Sequence, residues 1–242
     1  MKKSLKILIA QPEPNNVNSP FNDLAKKHNI KINYKPFLSI EGETVKNIRI
    51  HKINVPSYGA LILTSRNAVN HYFRICDEMR INVPNTLKYF CISEAISYYL
   101  QKYIAYRKRK IYSANNNYEE LIDIMKKHED EKFLFVSSDF VNSKLIDLLD
   151  NSKLQYKRGV FFKTVSNNLA KLKINSYNIL VFYSPLDINA LYNNFKDFKQ
   201  NEIKIAAFGK STHDACIEKG LTVDIVAPSP KYPSMSMALD SY

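Results

Sequence analysis

An α/β fold built as two similar domains with parallel sheets is what this chain predicts, and three observations predict it. Short apolar runs alternate with amphipathic stretches of helical length along nearly the whole sequence. The strand–Ser–helix block around Ser65 recurs around Ser184, 119 residues on, and the next strand–turn–helix block recurs from Ile92 to Gly209, 117 residues on. The chain has 242 residues, 45% of them hydrophobic, enough for two domains of about 100 residues, each with its own core.

The elements follow in order. Leu5–Ala10 reads as a buried strand. Lys2 and Lys3 precede it in the manner of a secretion signal, but Lys6 breaks the apolar run and no small-residue cleavage site follows. Ser19-Pro20 opens a helix, a capping residue followed by proline at the first helical position. Ile30–Phe37 is extended. A second series runs from the strand Ala60–Leu63 through the helix Asn67–Met79, the strand Tyr89–Ile92 and the helix Glu94–Tyr103. Lys110–Tyr112, the helix Tyr118–His128, the strand Phe133–Val136 and the helix Ser143–Leu149 continue it. Tyr156–Val165 is a long β-rich stretch without turn signals. The alternation resumes with the strand Ile179–Tyr183, a helix from Ser184-Pro185 to about Phe195, and the strand Ile203–Phe208. The helix Asp214–Lys219, ended by Gly220, the strand Val223–Val226 and a helix after Pro233 complete it.

The repeat is a duplicated half rather than a short-period solenoid. The expected domains are 1–36 with 166–242, and 41–157, joined by a two-stranded β connection formed from 37–40 and 158–165. No run approaches the roughly eighteen apolar residues of a membrane span. Three cysteines without a CxxC pair and five scattered histidines suggest neither a disulfide framework nor a metal site. The expectation is a soluble protein of the cytoplasm.

A net charge of +12 points to an anionic partner. Residues 37–163 carry 20 basic and 14 acidic side chains and the remainder 15 and 9, so the surplus is spread evenly and is no basic tail. Its sharpest cluster, Arg107-Lys108-Arg109-Lys110, reads as a solvated strand or loop. Tyr103, Tyr106 and Tyr112 lie beside it, yet no nucleic-acid-binding signature is present, so a nucleic-acid partner is not expected.

In open α/β sheets ligands sit beyond the carboxyl ends of the strands, where helix N-termini present free amides. Four such ends carry hydroxyls: Thr64-Ser65, Ser93-Glu94, Ser184-Pro185 and Gly209-Lys210-Ser211-Thr212. Each is equally a helix cap, worth about 1 kcal/mol. Together they form a set suited to carboxylate or phosphate, with Arg66 and Lys210 adding charge. Only five glycines occur, without GxGxxG, GxxxxGK[ST] or GxSxG, which counts against nucleotide chemistry and a hydrolase elbow. Glu94 and Asp139 are isolated acids.

The segments Ala60–Val69, Ile179–Pro185, Ile205–Thr212 and Pro228–Met235 resemble, in order, the blocks of the uroporphyrinogen-III synthases. Tyr89–Ala95, Tyr99–Ile104 and Tyr106–Ile111 are similar to a branch found in Bacteroidetes. The resemblance implies two α/β domains, the first built from both chain ends. It implies a monomer that needs no cofactor and cyclises hydroxymethylbilane, a linear tetrapyrrole with eight carboxylates, to uroporphyrinogen III. Water is lost and ring D is inverted. Thr64, Ser65, Ser184 and Thr212 match its hydroxyl-bearing strand ends, and Arg66, Ser93, Lys210 and Ser211 join them as candidate substrate contacts. The family's candidate proton donor is a tyrosine in Tyr-x-Thr; here that position is Phe162, which has no proton to give. Tyr183 is the neighbour considered in its place. Asp187 and Lys210 also depart, standing where glycine and proline are common. Phe162 motivates an alternative, a non-catalytic tetrapyrrole- or anion-binding relative.

Overall fold

The computed structural model describes residues 5–14 and 19–242; Lys2 and Lys3 lie outside them. In chain order the strands and helices are β1 (Lys6–Ile9), α1 (Pro20–His28), β2 (Lys31–Tyr34), β3 (Leu38–Gly42), α2 (Val45–Ile50), β4 (Ala60–Leu63), α3 (Arg66–Glu78), β5 (Lys88–Cys91) and α4 (Glu94–Tyr99). They continue with β6 (Ile111–Ser113), α5 (Tyr118–Lys126), β7 (Phe133–Ser138), α6 (Ser143–Asn151) and β8 (Tyr156–Ser166). The last are β9 (Ile179–Phe182), α7 (Pro185–Asn194), β10 (Lys204–Phe208), α8 (Lys210–Glu218), β11 (Ile225–Ala227) and α9 (Met235–Ser241).

The chain divides into two compact units, a split unit of Met1–Ser39 with Val165–Tyr242 and an inserted unit of Ile40–Thr164. The first boundary falls inside β3 and the second inside β8. The split unit holds a five-stranded parallel sheet in the order β11-β10-β9-β1-β2. The inserted unit's sheet runs β3-β8-β7-β4-β5-β6, parallel from β8 to β6. β3 lies antiparallel at its edge: the Glu43 amide donates to the Phe161 carbonyl and the Asn167 amide to that of Phe37, so one strand ascends as the other descends. Apart from β3 the two orders match under circular permutation. β4, β5 and β6 correspond to β9, β10 and β11, and β7 and β8 to β1 and β2. The duplication read in the sequence is therefore a duplication of topology.

Side-chain parity builds the core. Leu8, Leu180, Phe182, Ile205 and Ala207 face one side of the split unit's sheet, packing with Ile188 and Leu191 of α7 and Cys216 of α8. Ile7, Ile9, Ile179, Val181 and Ala206 face the other, with Leu24 of α1 and Leu239 of α9. Both faces are covered, which is why these parallel strands read as continuous apolar runs. In the inserted unit, Phe90, Phe133, Phe135 and Phe161 are fully buried, each contributing about 1.5–3 kcal/mol of transfer free energy.

Some expected boundaries shift. Ser19 precedes α1 with Pro20 at its first position, but its hydroxyl makes no capping bond. The helix expected to reach Tyr103 stops at Tyr99 and tightens into a 3-10 turn, Leu100–Lys102, where Tyr99 and Tyr103 both donate to Asn70 Oδ1 at 2.9 and 2.8 Å. Helix α8 starts at Lys210, four residues before the expected Asp214. Gly209 takes φ +86°, a left-handed conformation that lets the strand turn directly into the helix. Among the described residues no helix is long and apolar enough to cross a membrane, and no group of three or more His, Cys, Asp or Glu is placed to hold a metal.

Candidate functional site

The carboxyl edge of the inserted unit's sheet is shaped by a bulge. Ser137 of β7 pairs with Val160 of β8, but Ser138 pairs with Phe162, so Phe161 is the extra residue. Phe161 stays in the core, and Phe162, 6% exposed, stacks on His71 at 5.1 Å and 19°. His71 Nδ1 accepts from Arg74 Nε at 3.2 Å; burial, then the nearby guanidinium, lowers its pKa, so the imidazole is neutral at pH 7.

Beside Phe162 lies a pocket of about 300 Å³, whose polar lining includes Thr64, Ser65, Asn67, Ser137, Ser138 and Thr164. Ser65 caps α3, its Oγ accepting from the Ala68 amide at 3.0 Å, which leaves its own proton to donate. Arg158, earlier on the same strand as Phe162, donates from Nε to Ser137 Oγ at 3.0 Å and from Nη2 to the carbonyls of Ser138 and Asp139 at 2.9 and 2.8 Å. It fixes the end of β7, and among the described residues its guanidinium forms no ion pair. Phe140, 61% exposed, and Tyr118 add aromatic surface. Arg66 does not line this pocket; its guanidinium lies 5.3 Å from the Tyr99 ring centroid. Ser93 precedes α4, is buried, makes no capping bond and does not line it either.

The split unit gathers the other candidates at the ends of adjacent strands β9 and β10. Ser184 caps α7, accepting from the Leu186 amide at 3.2 Å. The amides of Tyr183 and Ser184, which the sequence reading leaves free for a ligand, are taken by Asp187 Oδ2 at 3.1 and 3.0 Å. An internal carboxylate thus occupies donors that a ligand's would use. Lys210 pairs with Asp214 at 2.8 Å, so its charge is shared inside α8. Ser211 is exposed. Thr212, 1% exposed, has no hydrogen-bond partner for Oγ1. Tyr183 packs against Phe208 with centroids 5.4 Å apart, and burial pushes its phenol up to about 12, making it a weaker acid than a free tyrosine.

The structure therefore places Thr64, Ser65 and Phe162 around one pocket and Ser184, Lys210, Ser211 and Thr212 at one edge of the other unit. Arg158, Asp187 and His71 are not among the residues the sequence nominates for the site. No motif marks the contacts of Arg158 and His71, whereas Ser184-x-x-Asp187 is a capping box, the sequence signal by which the Asp187 contact could have been found. The arrangement offers hydroxyls, amides and cations for an anion but no acidified proton donor. The cysteines add no nucleophile: burial pushes Cys76 and Cys216 to about 11 and Cys91 to about 12, keeping all three protonated at pH 7. Ser65→Ala is expected to cost about 1 kcal/mol of stability through the lost cap, read as a shift in the chemical denaturation midpoint; an unchanged midpoint would show that the bond to Ala68 contributes nothing.

The family model for uroporphyrinogen-III synthase HemD matches residues 19–236. No curated protein matches the chain. Among solved structures, uroporphyrinogen-III synthetase from Helicobacter pylori aligns over 98% of this chain and 97% of its own, at 18% identity and a TM-score of 0.60. A mutant uroporphyrinogen III synthase from the extremely thermophilic bacterium Thermus thermophilus covers 98% and 95%, at 12% identity and a TM-score of 0.53. At such identities these structures show the shared two-domain fold and no more.

Proposed function

The chain belongs to the uroporphyrinogen-III synthase family, cyclising lyases of heme biosynthesis, and from that premise we propose how its own residues close hydroxymethylbilane into uroporphyrinogen III. The match over 19–236 carries the reading. The two carboxyl edges supply the groups that the substrate's carboxylates need: Thr64 and Ser65 in the inserted unit, Ser184, Ser211 and Thr212 in the split one. A net charge of +12 adds long-range attraction for the polyanion. The charges of Arg66 and Lys210 are engaged by the Tyr99 ring and by Asp214, and Ser93 is buried. The units correspond to the family's two domains, and a cytoplasmic monomer belongs to the same proposal; sedimentation of the purified chain tests the monomer.

In the reaction the hydroxymethyl oxygen leaves ring A as water after taking a proton. The resulting azafulvene carbon is attacked by the substituted carbon of ring D, and the spiro intermediate reopens and closes with ring D inverted. Unassisted closure gives the uninverted isomer, so the protein's work is to hold the folded bilane where the inverted closure has the lower barrier. Phe162 and the weakly acidic Tyr183 fit a site that positions its substrate and leaves the leaving-group proton to come from water. Phe162→Tyr is accordingly expected to change the rate by less than about threefold, below roughly 0.7 kcal/mol; a large gain would mean that the missing hydroxyl limits this enzyme.

The test is a coupled assay with porphobilinogen and a hydroxymethylbilane-generating deaminase, run with and without this protein, with the oxidised products separated by isomer. Uroporphyrin III in place of uroporphyrin I is the expected result. Isomer I alone from folded protein would overturn the assignment and leave a non-catalytic tetrapyrrole-binding relative.

A further inference from the structure

The inserted unit has a second cavity, of about 310 Å³, at the opposite edge of its sheet from the Thr64–Phe162 pocket. Its walls include Asn85 and Leu87, just before β5, and Arg107 and Lys110, just before β6, which places it at the amino ends of those parallel strands. Its lining is polar and apolar in about equal measure; the apolar part is formed by Val83, Leu87 and Ile104 beside Phe73 and Tyr103, whose rings stack 4.5 Å apart and 2° from parallel. Its lip is cationic. Arg107 and Lys110 line it, and with Lys108 and Arg109 they also enclose an adjoining space of about 490 Å³.

Two features separate this run from an ordinary solvated charge run. Among the described residues none of its four cations forms an ion pair, although dispersing them would relieve their mutual repulsion. Neutral contacts hold them together instead: Tyr106 stacks on Tyr98 at 5.9 Å, Tyr112 Oη donates to the Arg109 carbonyl at 3.0 Å, and Lys110 donates to the Asn85 carbonyl. An uncompensated positive edge over a hollow with one apolar wall is the combination that an amphiphilic anion completes.

We propose that this cavity is a second binding site, for a small flat aromatic molecule with one anionic group on its edge: the ring enters among Val83, Leu87 and Ile104, and the phosphate or carboxylate meets Arg107 and Lys110. The volume lies at the small end of ligand sites and suits one or two fused rings; a tetrapyrrole is too large to enter. The assignment is independent of the synthase reading, because no residue of the Thr64–Phe162 pocket contributes to it.

Adenosine monophosphate and 2-naphthoate present this chemistry from two sources, a nucleotide and an aromatic acid. Calorimetric titration of the full chain with each is expected to show one-to-one binding of at least one, and the tighter of the two identifies the source. Adenosine and inorganic phosphate, each carrying half of the recognition, are expected to bind at least about tenfold more weakly than that anion. Arg107→Ala, which removes the charge, and Ala105→Trp, which fills the mouth from an exposed position, are each expected to weaken it about tenfold or more. The proportion of isomer III in the coupled assay should not change in Arg107→Ala. The proposal is overturned if neither anion saturates the protein, or if both variants bind as the parent does. It is equally overturned if isomer III falls in Arg107→Ala, or if a uridine oligonucleotide binds more tightly than either anion with a steep salt dependence, which would mark a nucleic-acid surface instead.

Discussion

Replacing Asp187 with asparagine is expected to remove a pH dependence of stability that the parent carries between about pH 4 and 6. The Asp187 carboxyl is 3% exposed. Burial pushes its pKa from 3.8 up to about 6, against the opposing pull of the Tyr183 and Ser184 amides. The folded state therefore holds the proton more tightly than the unfolded chain. The corresponding stabilisation is fully present below 3.8 and lost as pH rises through about 6. The interval from 3.8 to about 6 corresponds to about 3 kcal/mol, so at neutral pH the protein carries a buried charge at that cost relative to acid. The substituted amide would keep an oxygen for the two backbone N–H groups without the charge. Denaturation midpoints of parent and variant, measured from about pH 4 to 7, isolate the effect, because every other titrating group cancels in the difference. The variant should gain on the parent by on the order of 3 kcal/mol across the series; a difference that stays flat would mean that Asp187 titrates as an exposed carboxyl does.

The residues that made the fold legible are those whose burial leaves no choice. Ala60–Leu63 and Ile179–Phe182 are buried at every position, so they read as unbroken apolar runs, and the repeat between them is visible because each feeds a serine-capped helix. What the sequence hides lies where the chain is half exposed or locally irregular. The six-residue α2 has exposed positions along it and no strong periodicity. The bulge in β8 depends on register, which no window of sequence displays. In the site, strand-end hydroxyls can be nominated because the topology demands them there. Their states are less legible: the capping box Ser184-x-x-Asp187 signals that the Ser184 amide is taken, but whether Lys210 is free depends on the side chain of Asp214 one turn later. Arg158 is invisible for a related reason, since its role is to reach across to β7 and a single arginine in a strand carries no sign of what it reaches.

Thr212→Val is expected to separate function from stability. Thr212 sits in the first turn of α8, 1% exposed, with Oγ1 unpartnered. A buried hydroxyl without a partner costs about 1–3 kcal/mol relative to its hydrated state, and replacing it with a methyl of nearly the same shape removes that cost. The fold should therefore be at least as stable as the parent, by up to about 1 kcal/mol. On the proposed role, the same hydroxyl donates to a substrate carboxylate, a hydrogen bond to a charged group worth about 1.5–3 kcal/mol. Its loss should lower the rate of isomer III formation roughly 10- to 100-fold, while uninverted closure continues in solution and isomer I accumulates. Thr212→Ser supplies the reciprocal case: it keeps the hydroxyl and deletes a buried methyl, so it should lose about 1 kcal/mol of stability and retain isomer III. The coupled assay and a denaturation curve on both variants decide the matter together. If Thr212→Val is destabilised and still makes isomer III at the parent rate, the hydroxyl serves the fold, and substrate binding at the end of β10 must be assigned to Ser211 and the amides of α8 instead.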